Sequence, residues 1–245
     1  MWGGSATPQL TNPWPLPSHF FCIKSNDAKN LDRPGDACYT YRIISIDAEK
    51  MKLHQVASIS AGYPFRGKIS HAPGSPAIVI QMKDISQSEG ILWADCVETE
   101  LTGKREPDFL SEGDILIAAR GSHNYAIQVD GSLATTGKQA VAAPHFFVVR
   151  LKKKGILPSF LTWLLNQTPS QRYFEQNAEG SLSKSIRRSV LEEAPIVIPP
   201  LTKQRAVIAM AHTLQEEQRL AQRLIDSGEQ MMTVIANDLH KTHGQ

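Results

Sequence analysis

Two consecutive prolines, Pro199 and Pro200, are followed by some forty residues with no further proline. Proline inside a helix removes a backbone hydrogen bond and clashes with the preceding turn, so a helix over 201–240 begins after this pair. Thr202 is its expected N-cap. Apolar residues then recur at Val207, Met210, Leu214, Ala221, Leu224, Met231 and Ile235, in steps of three, four or seven. That spacing is a coiled-coil seam. Most other positions hold Gln, Glu, Arg or Lys, all good helix formers. At ~1.5 Å per residue such a rod is roughly 60 Å long. Typical helices have about three to four turns, so a single domain seldom uses this length for its own core. Glu217, Gly228 and Asp238 fall in register with the seam and interrupt it. One reading folds the helix back on its own domain. The length favours the other, a helix that pairs with a long helix of a second copy or a partner.

The rest of the 245-residue chain has room for one globular domain plus appendages, or two small domains. Hydrophobic residues make up 41% and charged residues 20%, enough for a real core. A formal charge of +2 is too small to argue for nucleic acid by itself, so cations that meet DNA must be clustered. Cys22, Cys38 and Cys96 have no metal-ligand spacing and suggest a reducing cytoplasm. No run approaches the ~20 apolar residues of a membrane span, and the N-terminus does not read as a secretory signal.

Residues 1–50 differ in character from the remainder of the chain. They are rich in Pro, Ser, Thr and Asn and read as irregular, with one strand expected at 40–46. Met51 opens an ordinary domain pattern. The first fifty residues are therefore either an upstream segment ahead of a natural start at Met51 or a genuine N-terminal arm. Asn12-Pro13-Trp14-Pro15 departs from the Asn/Asp-Pro-Pro-aromatic turn that holds a base amine in adenine methyltransferases. The lack of a glycine-rich loop after a strand also argues against methyl transfer here.

From Met51 to Pro200 the pattern is a mixed α/β (α+β) domain. A short helix is expected over 53–59, and strands at 77–82, from 91, at 115–117, 125–129, 146–151 and 194–198. A helix is expected over 158–177, with Thr168-Pro169 as a break. Three polar loops stand out. The first holds Tyr63, Phe65, Arg66 and Lys68, whose aromatics suit packing or base contact and whose cations suit phosphates. The second holds Arg120, Ser122, His123, Asn124 and Tyr125. Arg can bond guanine O6 and N7 together, Asn can bond adenine N6 and N7 together, and Ser, His and Tyr can reach phosphates. The third holds Lys184, Arg187 and Arg188, three cations within five residues. Each loop also has a plainer reading, as a solvated turn. Gly137-Lys138-Gln139 lacks the remainder of a Walker loop, which excludes that mode of nucleotide binding.

The ordered combination Gly180-Ser181-Leu182, Lys184, Ile186, Ile198-Pro199-Pro200-Leu201, Gln204-Arg205 and Ile208 resembles the specificity (S) subunit of type I restriction–modification systems. The Gly-aromatic-x-Phe-Arg loop at Gly62, the stretch 79–85 and the Gly113-Asp114 to Arg120-Gly121 pattern resemble it too. Such subunits carry a target recognition domain followed by a helical spacer, and a full-length one has two of each; this chain has room for one. The resemblance implies a recognition domain over 51–200 and a spacer or dimerisation helix over 201–245. It implies DNA contacts from the residues of the three loops, with Lys83 and Lys138 added. It implies no cofactor on this chain: S-adenosylmethionine belongs to a methyltransferase (M) subunit, and ATP with Mg to a restriction (R) subunit. Partners so implied are double-stranded DNA, those two subunits, and a second copy through the helix. No catalytic constellation is legible. The competing function is a coiled-coil adaptor without DNA readout. A nuclease or methyltransferase with an unrecognised site is a third.

Overall fold

The computed structural model describes residues 48–86, 89–121, 123–180 and 184–242. The N-terminal features, Cys22 and Cys38 among them, Ser122, and Ser181-Leu182 lie outside the described residues. In chain order the strands are β1 (Glu49–Lys52), β2 (Ala57–Ala61), β3 (Ala77–Ile80), β4 (Ile85–Ser86), β5 (Gly90–Ile91), β6 (Val97–Glu98), β7 (Ile115–Ala118), β8 (Ala126–Gln128), β9 (Gln139–Ala142), β10 (Phe146–Leu151) and β11 (Pro195–Ile198). The helices are α1 (Ser132–Thr135), α2 (Pro158–Asn166), α3 (Thr168–Asn177), α4 (Arg188–Glu192) and α5 (Leu201–Thr242).

Two sheets organise the domain. An antiparallel one runs β2-β10-β7-β8, and a smaller one runs β6-β3-β9, with β3 and β9 parallel. Strand β7 explains the apolar run at 115–118. Ile115 and Ile117 point into a core shared with Leu161, Leu165, Phe174 and Leu191 of the helices. Leu116 and Ala118 point the other way, into a core shared with Ile78, Val79, Ile80 and Val141 of the small sheet. Covered on both faces, the strand has no polar side to show. The pair β1–β11 and the contact of Leu53 N–H with Ala194 O (3.0 Å) tie the start of the domain to its end.

Several expectations shift. The helix expected over 53–59 is one 3-10 turn, Leu53–Gln55, and then β2. Ala57 and Ile59 alternate with Ser58 and Ser60, and pairing with β10 exploits that period of two. The strand expected from Ile91 gives way to a 3-10 turn at Trp93–Asp95. Pro169 sits in the first turn of α3, so the helix expected over 158–177 is two helices meeting at Gln167. Thr202 lies inside the first turn of α5, where the carbonyl of Pro200 already accepts from Lys203 N–H (2.9 Å) and Gln204 N–H (3.1 Å).

Helix α5 leaves the domain. Gln204 is buried and Val207 and Ile208 are half-buried, but from residue 217 to 239 every position is exposed. Met210, Leu214, Leu224, Ile225, Met231, Met232, Ile235 and Leu239 show between 46% and 76% of their surface. At about 100° per residue they fall within one stripe. Among the described residues no helix is long and apolar enough to cross a membrane.

Candidate nucleic-acid interface

The register brings the loops together. Ala61 pairs with Phe147, Ala118 with Phe146, and Ala126 with Ile117, so β2 and β7 end, and β8 begins, at one edge of the large sheet. The small sheet delivers β3 and β9 to the same place: Gly62 N–H bonds Phe146 O (2.9 Å), Tyr63 N–H bonds Ala142 O (2.8 Å) and Ala143 N–H bonds Ile80 O (2.9 Å). A Cβ on Gly62 would lie 2.1 Å from Ala143 O, so only glycine lets these segments approach.

The second and third polar loops meet directly. Arg120 bridges to Ser185, Gly121 N–H bonds Lys184 O (3.3 Å), and Ile186 N–H bonds Ala119 O (2.9 Å). A recess of about 330 Å³ opens beside them, lined by Gly121, His123, Asn124, Asn166, Thr168, Gln171, Arg172, Glu175 and Lys184. The cations of the recess and of the adjoining third loop are not equivalent. Lys184 Nζ reaches Glu175 at 3.1 Å, Arg187 reaches Glu179 at 2.6 Å, and Arg188 reaches Glu192 at 2.8 Å. Among the described residues, Arg120 and Arg172 are exposed and have no ion-pair partner within the chain. Unpaired cations meet a phosphate or a base without first giving up a carboxylate. Arg172 was not legible as a candidate, because its place depends on α3 packing beside the 120–125 loop.

Other candidates sit elsewhere or do structural work. Tyr63 is 5% exposed, its hydroxyl donates to Gly103 O (3.2 Å), and its ring meets half-buried Phe65 edge-on at 4.9 Å. Tyr63 is thus a core residue and not a base-stacking surface. Asn124 is buried, and its amide donates to Ala118 O at 2.7 Å, so it closes the end of β7 and does not face an adenine edge. Lys138 stands at the opposite edge, before β9, paired with Glu98. That bond and the Gly74 N–H hold the Glu98 carboxyl below the usual range. Arg66 and Lys68 are exposed on the loop after β2, where Arg66 N–H bonds Thr102 Oγ1 (3.3 Å); the contacts they make do not join the Arg120–Lys184 cluster. Tyr125 is half-buried, and burial pushes its phenol up. His123 and Lys83 are exposed.

Lys83 borders a buried acid. Asp84 accepts Gln81 N–H through Oδ2 (2.9 Å), whereas its Oδ1 has no hydrogen-bond partner and lies 3.7 Å from Lys83 Nζ. Burial raises the Asp84 pKa, against the opposing Gln81 bond and Lys83 charge. A carboxyl raised on folding favours the fold while protonated. That contribution is complete below the unfolded-state pKa and is lost as pH rises through the folded one. Asp84→Asn should therefore remove this acid-side slope and be at least as stable as wild type at neutral pH, measured by urea unfolding. A loss of more than about 1 kcal/mol, the typical worth of one hydrogen bond, would contradict this. The neighbouring Cys96 thiol is pushed up to about 12, mainly by burial, and so is held as the unreactive thiol.

Residues 45–226 match the family described as Type I restriction modification DNA specificity domain. The chain belongs to that family. The S-subunit fold agrees. The S subunit of a type I system from M. genitalium superposes with a TM-score of 0.50 at 15% identity, over 82% of this chain and 48% of that one. The HsdS subunit from Thermoanaerobacter tengcongensis gives 0.54 at 17% identity, over 77% and 47%. A structure of the type I restriction–modification system, described for its complex assembly and conformational transition, gives 0.52 at 17% identity, over 77% and 43%. The chain therefore spans about half the length of the chains it matches. No curated protein matches. The expected mixed recognition domain with a long C-terminal helix is the observed architecture, and the specificity-domain match extends into α5 as far as residue 226.

Proposed function

We propose that this chain reads DNA sequence for a type I restriction–modification complex in the cytoplasm, with the chemistry on other subunits. One domain reads one half-site. Helix α5 pairs with its counterpart in a second copy, and the two-fold assembly reads a gapped, symmetric target. The methyltransferase subunit brings S-adenosylmethionine, and the restriction subunit brings ATP and Mg. The observation that carries this reading is a pair of exposed cations without an ion-pair partner among the described residues, Arg120 on the segment bridged to Ser185 and Arg172 in the recess lined by Gly121 and Lys184. In this reading Arg120 meets base edges and Arg172 meets phosphate.

Deleting the gene should erase one gapped methylated motif from the host methylome. With that motif as a duplex, binding should fall steeply as salt rises. Arg120→Ala should cost about 1–3 kcal/mol on the preferred sequence and relax preference at one position. Arg172→Ala should weaken all sequences about equally and reduce the salt slope by about one. A purified chain that binds its partner subunits but shows no salt-dependent DNA binding would instead be an adaptor.

A further inference from the structure

Gln204 is the anchor of α5. It is fully buried, at 0% exposure, and every bonding group of its amide is engaged with backbone. Oε1 accepts Leu157 N–H at 2.9 Å, while Nε2 donates to Gly155 O at 2.9 Å and Pro199 O at 2.8 Å. Gly155 and Leu157 belong to the turn between β10 and α2; Pro199 ends the segment from which α5 starts. One side chain thus ties the root of the helix to the turn between β10 and α2. Neither flanking proline has an N–H with which to make that tie. Ile208, Ala211, His212 and Gln215 border the groove against Trp163 and Asn166, and from 217 to 239 every position of α5 is exposed.

The lever is long. From Gln204 to Thr242 the helix extends roughly 57 Å at 1.5 Å per residue. A change of ~10° at the root would carry the far end roughly 10 Å, about the rise of three base pairs at 3.4 Å each. We infer that Gln204 is a positioning residue that sets the angle between the domain and α5, and through it the length of gap tolerated between the two half-sites. This rests on the proposed two-copy assembly. An amide is the group required. Glutamate would turn lone pairs toward the Gly155 and Pro199 carbonyls, and methionine keeps the shape but makes none of the three bonds.

The test uses the full chain and its methylated motif, resynthesised with the gap shortened or lengthened by one and two base pairs. Wild type should lose at least about tenfold in affinity for each step away from the natural gap, because half-site spacing is fixed by geometry. Gln204→Met should flatten this to within about threefold, while the bases preferred in each half-site stay unchanged. Leu157→Pro supplies a second variant. Leu157 has φ −79° and precedes Pro158, so proline fits that φ and deletes the N–H that Gln204 Oε1 accepts, along with a half-buried leucine side chain. It should broaden the gap preference in the same direction, and it carries the test if Gln204→Met does not fold. Folded variants that keep the wild-type gap preference overturn the inference. A wild-type chain indifferent to the gap overturns the two-copy reading itself, and this inference with it.

Discussion

Glutamate at both Leu224 and Ile225 is expected to leave a folded monomer in place of the dimer proposed for the wild-type chain. The two side chains show 76% and 54% of their surface and lie within the apolar stripe of α5. Nothing in the domain covers them. Burying a Leu or Ile side chain is worth about 1.5–3 kcal/mol, and a two-fold contact loses each one twice. A buried unpaired carboxylate adds its own desolvation cost. Dimer affinity should fall by more than about a hundredfold, which needs only ~3 kcal/mol of that loss. Because both positions are exposed within one chain, helix content and thermal unfolding of the domain should not change. Sedimentation velocity across a concentration series gives the readout. An unaltered mass for the double variant would mean that the stripe meets something other than a second copy.

The second large effect is on stability. Arg150 donates from Nε to Asp114 Oδ1 (2.8 Å) and from Nη2 to Asp114 Oδ2 (2.7 Å), a bidentate pair. It also reaches Asp108 Oδ1 (3.1 Å) and Phe109 O (3.1 Å). Asp114 is 3% exposed and accepts Ser111 N–H as well (2.9 Å). The bond to Asp114 is the main reason the guanidinium is held charged even more firmly than usual. Arg150→Ala strands a buried carboxylate, a change that costs about 3–5 kcal/mol where the pair is fully buried. Arg150 itself is partly exposed, so water offsets some of this and about 3 kcal/mol is the expected loss. Urea unfolding measures it, and Arg150→Lys should recover only part, since an ammonium cannot make the two-pronged bond. A loss under about 1 kcal/mol would mean that the pair is no more than a surface ion pair.

That pair also shows how one motif can serve two ends. Asp114 and Arg120 belong to one sequence pattern, but they divide between two tasks. Asp114 locks the turn before β7 to β10, while Arg120 is left exposed at the far end of the same strand. Sequence alone cannot assign the tasks, because Arg150 lies 36 residues away from Asp114. Asn124 and Tyr63 make the same point in reverse. Their residue types suit DNA contact, but their surroundings use them to close a strand and fill a core.

What the chain order determined is the local chemistry. Pro199-Pro200 and the apolar spacing dictated a long helix, since both act within a few residues. The β-branched and apolar runs dictated β3, β7 and β10 for the same reason. Strand β9 was hidden, because Gln139–Ala142 is short and gains its identity from a parallel partner some sixty residues earlier. Only the tertiary structure brought Arg172 into one recess with Gly121 and Lys184, set Lys138 at the opposite edge, and buried Gln204 under the root of α5. Those outcomes depend on which segments pack together, and packing partners are chosen by the whole chain rather than by its neighbours in sequence.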